Sequence, residues 1–295
     1  MPRFSEETLN NWRKPPSDTE ETKLSNIERM VKECINADDT LASMGIKIFG
    51  QGSYVNDTNV RLNSDVDLNV QYIDAFYYTI PSGTTPSTFG INGPVPYSAP
   101  DFKNHVHSAL VRKFESDVKR KNKCLAIEGN TNRVGADVVP TWQYRRYSRS
   151  GSYVEGVRFF ADNGQTVTNF PIQHIENGIE KNRQTQRRFK RLTRIYKRLR
   201  TQMVKDGRSV NGNITSFLLE CLLWNVPDEI FNDHETWTDR LKQSIAFLWN
   251  NTQEEKDCNN WREVSGLLPL FGDDRKWTPE NVNTYLLQLW RYLEY

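Results

Sequence analysis

The chain has 295 residues, 37% of them hydrophobic, which suffices for the core of one large domain or two packed ones. Its 39 basic and 37 acidic residues give a net charge of +2, so any polyanion must be bound by local clusters of charge. The four cysteines lie far apart without CxxC or Cys/His spacing, which argues against a disulfide framework and a zinc site and predicts buried thiols.

The N-terminal region predicts a helix and no targeting segment. Apolar residues recur at helical spacing from Ser17 to about Ala37, after an acidic start. No apolar signal segment follows Met1, and no apolar run reaches the roughly 18 residues that span a bilayer. We therefore expect a cytoplasmic protein that does not enter a membrane.

The next segments are two predicted strands that frame a polar loop. Residues 46–49 form a short strand that ends in a turn at Gly50 to Ser53, and residues 66–70 alternate as a second strand. Residues 79–100 are dense in Pro, Gly, Ser and Thr and predict a surface loop inserted between core elements, with a lid over a cleft as the alternative.

A helix and further strands complete the first half of the chain. Asp101 is predicted to cap a helix that runs to about Lys121. Strands are then predicted at residues 125–127, 133–139 and 153–160.

The periodicity becomes helical from about Ile175 onward. The predicted helices span residues 176–204, 214–224, 234–251 and 280–294. We therefore predict an α+β fold with a mixed-sheet N-terminal lobe, residues 1–174, that includes the first helix. A helical C-terminal lobe, residues 175–295, is predicted to pack against it.

Asp65 and Asp67 form the first candidate site. Side chains at positions i and i+2 of a strand share a face about 6.5–7 Å apart, so the two carboxylates converge and repel each other. A hard cation relieves this repulsion, and oxygen ligands favour Mg²⁺, with Mn²⁺ as a substitute. An isolated Asp-x-Asp is more often a solvated strand end, which is the alternative here.

Gly52 and Ser53 precede the aspartate pair by a spacer of eleven residues between Ser53 and Asp65. Glycine lets a phosphate approach backbone N–H groups, and the serine hydroxyl adds a donor. Such a pair alone is an ordinary turn. Joined to an apolar-flanked Asp-x-Asp after a predicted strand, it is far more specific for nucleotide chemistry.

Asp137 supplies a third carboxylate from the apolar stretch RVGADVVP. A charge in such a strand is costly without a partner, and an ion pair with Arg133 is the alternative to metal binding. Three carboxylates can hold two metal ions about 3.5–4 Å apart for an in-line displacement. Asp137 would then lie nearest the attacking hydroxyl and accept its proton.

These motifs resemble the DNA polymerase β-like nucleotidyltransferases, in which a Gly-Ser pair precedes Asp-x-Asp and a later lone aspartate. A basic helix at residues 181–205 is followed by ITSFLLE at 214–220, with PIQH at 171–174. That combination is similar to the cGAS/DncV-like and oligoadenylate synthase group, called CD-NTases in bacteria. The helix has an apolar stripe formed by Phe189, Leu192, Tyr196, Leu199 and Met203. The resemblance covers roughly residues 40–225.

The resemblance implies a bilobal fold in which the basic helix is the spine of the second lobe. It also implies that Gly52 and Ser53 hold the donor triphosphate and that Asp65, Asp67 and Asp137 bind the metals. Lys197 and Ser216 match the lysine and serine that contact the triphosphate from the other lobe in this family.

The match at Lys197 has alternatives on the same helix. Lys190 and Arg194 lie on the same helix face within two turns of it, so the register is open. The remaining basic residues of the helix, most of its arginines included, are interpreted as a solvated face.

The resemblance implies synthesis of a cyclic di- or trinucleotide second messenger from NTPs, in bacterial anti-phage signalling. The alternatives are linear or RNA-end nucleotidyl transfer and a catalytically silent nucleotide-binding relative. The five intact motif residues count against the silent relative, and the low net charge counts against tracking RNA. No obligatory DNA activator is implied, and accessory regulatory proteins are left open as partners.

Overall fold

The computed structural model describes residues 2–15, 19–60, 65–93, 97–253 and 258–295. The predicted helix start at Ser17 and residues 94–96 of the predicted loop lie outside these ranges.

The chain divides into two compact units. The sheet unit comprises Ser17–Val55 and Arg61–Pro171, and the helical unit comprises Met1–Pro16, Asn56–Val60 and Ile172–Tyr295. The predicted boundary at 174/175 lies close to the observed one. The N-terminal peptide and the pentapeptide Asn56–Val60, however, fall in the helical unit, whereas the predicted division put both in the first lobe.

In the described residues, seven strands form one mixed sheet in the sheet unit. They are β1 (Ile46–Gln51), β2 (Val66–Thr79), β3 (Val118–Arg120), β4 (Leu125–Ile127), β5 (Ala136–Tyr147), β6 (Tyr153–Phe160) and β7 (Thr166–Asn169). The order is β1-β2-β5-β4-β3, and β6 joins β5 and β7. Strands β2 and β5 are parallel, and the other pairs are antiparallel.

Alternation along β2 separates a packed face from a polar face. Val66, Leu68 and Val70 are fully buried in the core of the unit. The intervening Asp67 and Asn69 therefore point to the opposite face of the sheet. The same rule turns Asp137 of β5 away from Ala136 and Val138, which belong to the same core. The α-helices of this unit are α2 (Thr19–Asn36), α3 (Asp39–Ala42), α4 (Gly52–Val55) and α5 (Ala99–Phe114).

Helix α5 differs from its prediction at both ends. Ser98, and not Asp101, caps it, since the Asp101 N–H donates to the Ser98 hydroxyl at 3.3 Å. The helix ends at Phe114 because Glu115 has a φ of +49° and the chain then turns into β3. Within the predicted loop 79–100, β2 continues to Thr79 and a 3₁₀ turn spans Pro86–Phe89.

The other seven α-helices of the described residues belong to the helical unit. They are α1 (Glu6–Trp12), α6 (Pro171–Gln184), α7 (Arg188–Lys205), α8 (Ser216–Trp224), α9 (Asp228–Asn232), α10 (Trp237–Asn251) and α11 (Pro279–Leu293). The predicted helix 176–204 is thus two helices. Gln186 and Arg187 adopt positive φ between them, and the Thr185 hydroxyl accepts from the Phe189 N–H at 3.0 Å.

The predicted apolar stripe of α7 is confirmed. Its five residues are at most 1% exposed and belong to one core with residues of α8, α10 and α11. All four cysteines are buried and outside disulfide bonds, as predicted. Among the described residues, every helix is too short or too polar to cross a bilayer.

Candidate active site

Asp67 and Asp137 lie directly opposite each other on the parallel strands β2 and β5. Neighbouring strands are about 4.8 Å apart, and paired residues point to the same face. The strand pairing therefore places two carboxylates side by side.

The electrostatics show that the three predicted aspartates form one group. Burial, then the charge of Asp137, then that of Asp65 raise the pKa of Asp67 from 3.8 to about 6. Burial and neighbouring negative charges both disfavour the charged form of a carboxyl group. The group has the charge and the oxygen donors that a hard divalent cation requires.

Two glycines make room for these carboxylates. A Cβ at Gly52 would lie 2.1 Å from Asp67 Oδ2, and one at Gly135 would lie 2.1 Å from Asp65 Oδ1. Gly52 also has a φ of +74°, which side chains rarely adopt. Gly135 was not predicted as a site residue. The sequence signal that could have identified it is its position two residues before Asp137, at the start of an apolar strand.

The Gly-Ser motif begins beside the aspartates. Gln51, the last residue of β1, pairs with Asp67, so Gly52 follows at the same edge of the sheet. The predicted turn is a single helical turn, α4, which contains Ser53. The sheet unit thus brings together Gly52, Ser53 and the three aspartates.

Asp137 forms an ion pair with Lys121 at 3.1 Å. The alternative partner named from the sequence was wrong, because Arg133 instead pairs with Asp117 at 2.5 Å. Lys121 lies in the turn between β3 and β4, and no sequence signal identified it. Cys124 follows Lys121 in the chain. Burial and the charge of Asp137 raise the pKa of its thiol to about 12, so the thiol stays protonated.

The carboxylates are not arranged as a finished metal cluster. In the described part of the chain, no three His, Cys, Asp or Glu side chains are grouped to ligate one ion. Lys121 holds Asp137, and Asp65 lies against Gly135. A divalent cation would have to take over the charge of Lys121 and draw the carboxylates together.

Lys197, the predicted triphosphate contact, is buried and paired with other side chains. It lies in the helical unit, is 3% exposed, and its ammonium donates to Glu220 at 2.9 Å and to the Thr58 hydroxyl at 2.8 Å. The ammonium group is therefore already bound within the helical unit.

The two alternatives to Lys197 are also buried. Lys190 is 8% exposed, and desolvation lowers its pKa. Arg194 is 2% exposed and donates to the carbonyls of Asp57 at 2.6 Å and Arg13 at 3.1 Å. These two side chains therefore lie on the packed side of α7, whereas Arg183 and Arg187 at the preceding helix end are exposed, as the interpretation of a solvated face predicted.

Ser216 is the first residue of α8 and is exposed. The preceding Thr215 caps the helix by accepting from the Leu218 N–H at 3.2 Å. Ser216 therefore keeps its hydroxyl at the surface of the helical unit, at the helix end where backbone N–H groups are available to an anion.

Comparison with known proteins finds similarity along the whole chain. Residues 176–294 match the family model of the cGAS/DncV-like nucleotidyltransferase C-terminal helical domain. The cyclic dipyrimidine nucleotide synthase CdnE of Cecembia lonarensis is 54% identical over 296 aligned positions, covering 100% of both chains. That of Legionella pneumophila is 35% identical, covering 98% of both.

A solved structure shows the same fold. The Elizabethkingia meningoseptica CdnE cyclic dinucleotide synthase with GTP and Apcpp superposes with a TM-score of 0.83 at 34% identity. The match covers 99% of this chain and 100% of that one.

Proposed function

This chain belongs to the cGAS/DncV-like nucleotidyltransferases, and we propose that it joins two pyrimidine nucleoside triphosphates into a cyclic dinucleotide. It is a nucleotidyltransferase, and synthesis of a cyclic nucleotide is the activity that its relatives share. The structural observation that supports this activity is the pairing of Asp67 with Asp137 beside Asp65 and the Gly52–Ser53 turn.

In the proposed reaction, the hydroxyl oxygen of one nucleotide forms a bond to the α-phosphorus of the other, and pyrophosphate leaves. A second such step between the same two nucleotides closes the ring. Asp65, Asp67 and Asp137 would hold Mg²⁺, or Mn²⁺ in its place. The bound cation supplies Lewis acidity for the triphosphate and for the attacking hydroxyl.

The protein groups have separate roles in this proposal. The Ser53 hydroxyl and the backbone at Gly52 bind the donor triphosphate, and Ser216 is a further proposed triphosphate contact. Asp137 accepts the proton of the attacking hydroxyl. Burial and the other carboxylates raise the pKa of Asp67. Once it is deprotonated, this more basic carboxylate is a stronger ligand for a cation.

The pyrimidine preference rests on the two relatives named as dipyrimidine synthases, one of them 54% identical. Purine use is the competing candidate, because the 34% identical structure contains GTP. A pocket distinguishes the two base classes by shape and by hydrogen-bonding pattern.

The test is incubation with each labelled NTP, singly and in pairs, with Mg²⁺ or Mn²⁺, followed by phosphatase and mass spectrometry. We expect a phosphatase-resistant cyclic product from UTP and CTP, and none from the Asp67→Asn variant. A product from ATP and GTP alone would overturn the pyrimidine assignment. A phosphatase-sensitive ladder, or label on added RNA, would overturn cyclisation.

We further propose that the product is a second messenger of cytoplasmic bacterial anti-phage defence. Cells that carry the chain with its neighbouring genes should then resist phage, and the Asp67→Asn variant should abolish this resistance. Equal plaque counts with both forms would contradict the proposal.

A further inference from the structure

Four side chains form a buried polar network in the helical unit. They are Thr58, His174, Lys197 and Glu220, each less than 9% exposed. Lys197 and Glu220 form an ion pair at 2.9 Å, and the Thr58 hydroxyl accepts from Lys197 and donates to Glu220, each at 2.8 Å. The other oxygen of Glu220 lies 3.1 Å from Nε2 of His174.

The neighbours of Glu220 favour the charged form of its carboxyl group. Burial would raise its pKa, but the charge of Lys197 and the contact with His174 hold it below the ordinary value. A buried charge without a partner costs several kcal/mol, so the carboxylate and the ammonium require each other. A phosphate would therefore have to compete with the Glu220 carboxylate for the Lys197 ammonium.

The network holds one particular segment of chain. Thr58 lies in the pentapeptide Asn56–Val60, which belongs to the helical unit although the residues on both sides belong to the sheet unit. In sequence this segment follows Ser53 and precedes Asp65. It therefore joins the triphosphate-binding motif to the first aspartate.

A second anchor fixes the same segment. Arg194, one turn before Lys197 on α7, donates to the Asp57 carbonyl at 2.6 Å and forms an ion pair with the Asp57 side chain. Asp57 has a φ of +50°, a left-handed conformation that is uncommon for residues other than glycine, and the two contacts with Arg194 stabilise it.

We propose that Lys197 and Glu220 are positioning residues, which act through Thr58 to fix the pentapeptide Asn56–Val60. A buried ion pair contributes little net stability compared with apolar residues of the same size. Its directional hydrogen bonds instead define where the Thr58 backbone lies. The proposal rests on the proposed function only for its turnover measurement.

The first test uses a matched pair at Thr58. Thr58→Ser keeps the hydroxyl, and Thr58→Val keeps the shape but removes it. We expect Thr58→Val to lower kcat about tenfold or more with less than a threefold change in KM for NTP, because small misplacement of reacting groups is costly. Amide hydrogen exchange in peptides covering residues 52–60 should accelerate in parallel. In Thr58→Ser, kcat and the exchange rate of residues 52–60 should both stay at wild-type values.

The second test distinguishes positioning from phosphate binding. Glu220→Gln keeps the ammonium of Lys197 and removes only the opposing charge. If Lys197 bound phosphate, this change would leave NTP affinity equal or stronger and kcat unchanged. On our proposal kcat falls and exchange of residues 52–60 accelerates. Lys205→Met, an exposed lysine on the same helix, is the control for Lys197→Met.

Two outcomes would overturn the proposal. One is a tenfold rise in KM in Lys197→Met with kcat and exchange unchanged, which indicates direct phosphate contact. The other is unchanged kcat and exchange in both Thr58→Val and Glu220→Gln, which indicates a network that contributes only to stability. The exchange measurement requires no turnover, so it remains valid if the product of the enzyme differs from the one proposed.

Discussion

Asp67 and Asp137 occupy paired positions on two parallel strands that are separated by almost seventy residues of sequence. Their carboxylates share one face of the sheet, and Asp65 lies close enough to raise the pKa of Asp67 further. The three carboxylates therefore influence each other's charge, and a substitution at one of them changes the environment of the others.

The first prediction concerns the charge of this pair. Asp67→Asn and Asp137→Asn should each lower turnover by about 100- to 1,000-fold or more, because each removes an anionic ligand from the reacting groups. Asp67→Asn should not lower the melting temperature of the metal-free protein at neutral pH, since it removes like-charge repulsion. Pyrophosphate release and thermal melts measure the two effects.

Asp74→Asn provides the control for that experiment. Asp74 is an exposed residue of the same strand, and its carboxylate accepts from the Gly45 N–H at 2.6 Å. We expect turnover to remain within about threefold of wild type. Full activity in Asp67→Asn would show that the paired carboxylates do not carry the reaction.

The second prediction concerns the space next to Asp67. Gly52→Ala would place a methyl group 2.1 Å from Asp67 Oδ2 and should reduce turnover at least about tenfold. Gly83→Ala is matched in backbone conformation, with a φ of +80°, but has no atom within 4 Å of the added carbon. The free energy of unfolding of both variants should fall by about 1–2 kcal/mol, because alanine is strained in the left-handed conformation. Equal turnover in the two variants would exclude steric displacement of Asp67.

Sequence patterns predicted the parts of the site that depend on local order. Alternation placed Asp67 and Asp137 on strands with Asp65 directly before the first of them, and the spacing after Ser53 suggested a phosphate motif. The register that sets Asp137 opposite Asp67 could not be derived, because strand pairing is decided by long-range packing. Gly135 was missed because its importance depends on where the Asp65 side chain lies.

The helical half shows the limits of periodicity more clearly. The stripe of α7 was predicted because apolar spacing is a local signal. The burial of Lys197 was not, since it depends on Glu220, on another helix, and on Thr58, far away in sequence. The break at Gln186 and Arg187 lacks glycine or proline, so no local residue signalled it.

The third prediction is a pH dependence. A carboxyl group whose pKa is raised on folding stabilises the folded state while protonated, so this contribution is complete below pH about 4 and is lost as pH rises through about 6. The pKa of Asp67 is raised to about 6. In EDTA, wild type should therefore lose stability relative to Asp67→Asn between these pH values.

Magnesium should reverse this trend. Metal ligation requires the carboxylate, so Mg²⁺ should stabilise wild type more strongly as pH rises through about 6 and should have little effect on Asp67→Asn. Thermal melts of both proteins from acid to neutral pH, with EDTA and with Mg²⁺, provide the comparison. A stability difference that does not change with pH would mean that Asp67 titrates as an ordinary aspartate.

The fourth prediction concerns Lys121, which pairs with Asp137 at 3.1 Å. Its side chain is 51% exposed, and ion pairs this exposed contribute about 0.2–1 kcal/mol. Removing a cation that competes with the metal should lower the half-saturating Mg²⁺ concentration of Lys121→Gln by up to about fivefold. Lys123→Gln, an exposed lysine in the same turn, should leave it unchanged. Because salt screens exposed charges, the difference between the two variants should shrink at high ionic strength. A higher Mg²⁺ requirement with lower kcat in Lys121→Gln would show instead that Lys121 assists the substrate.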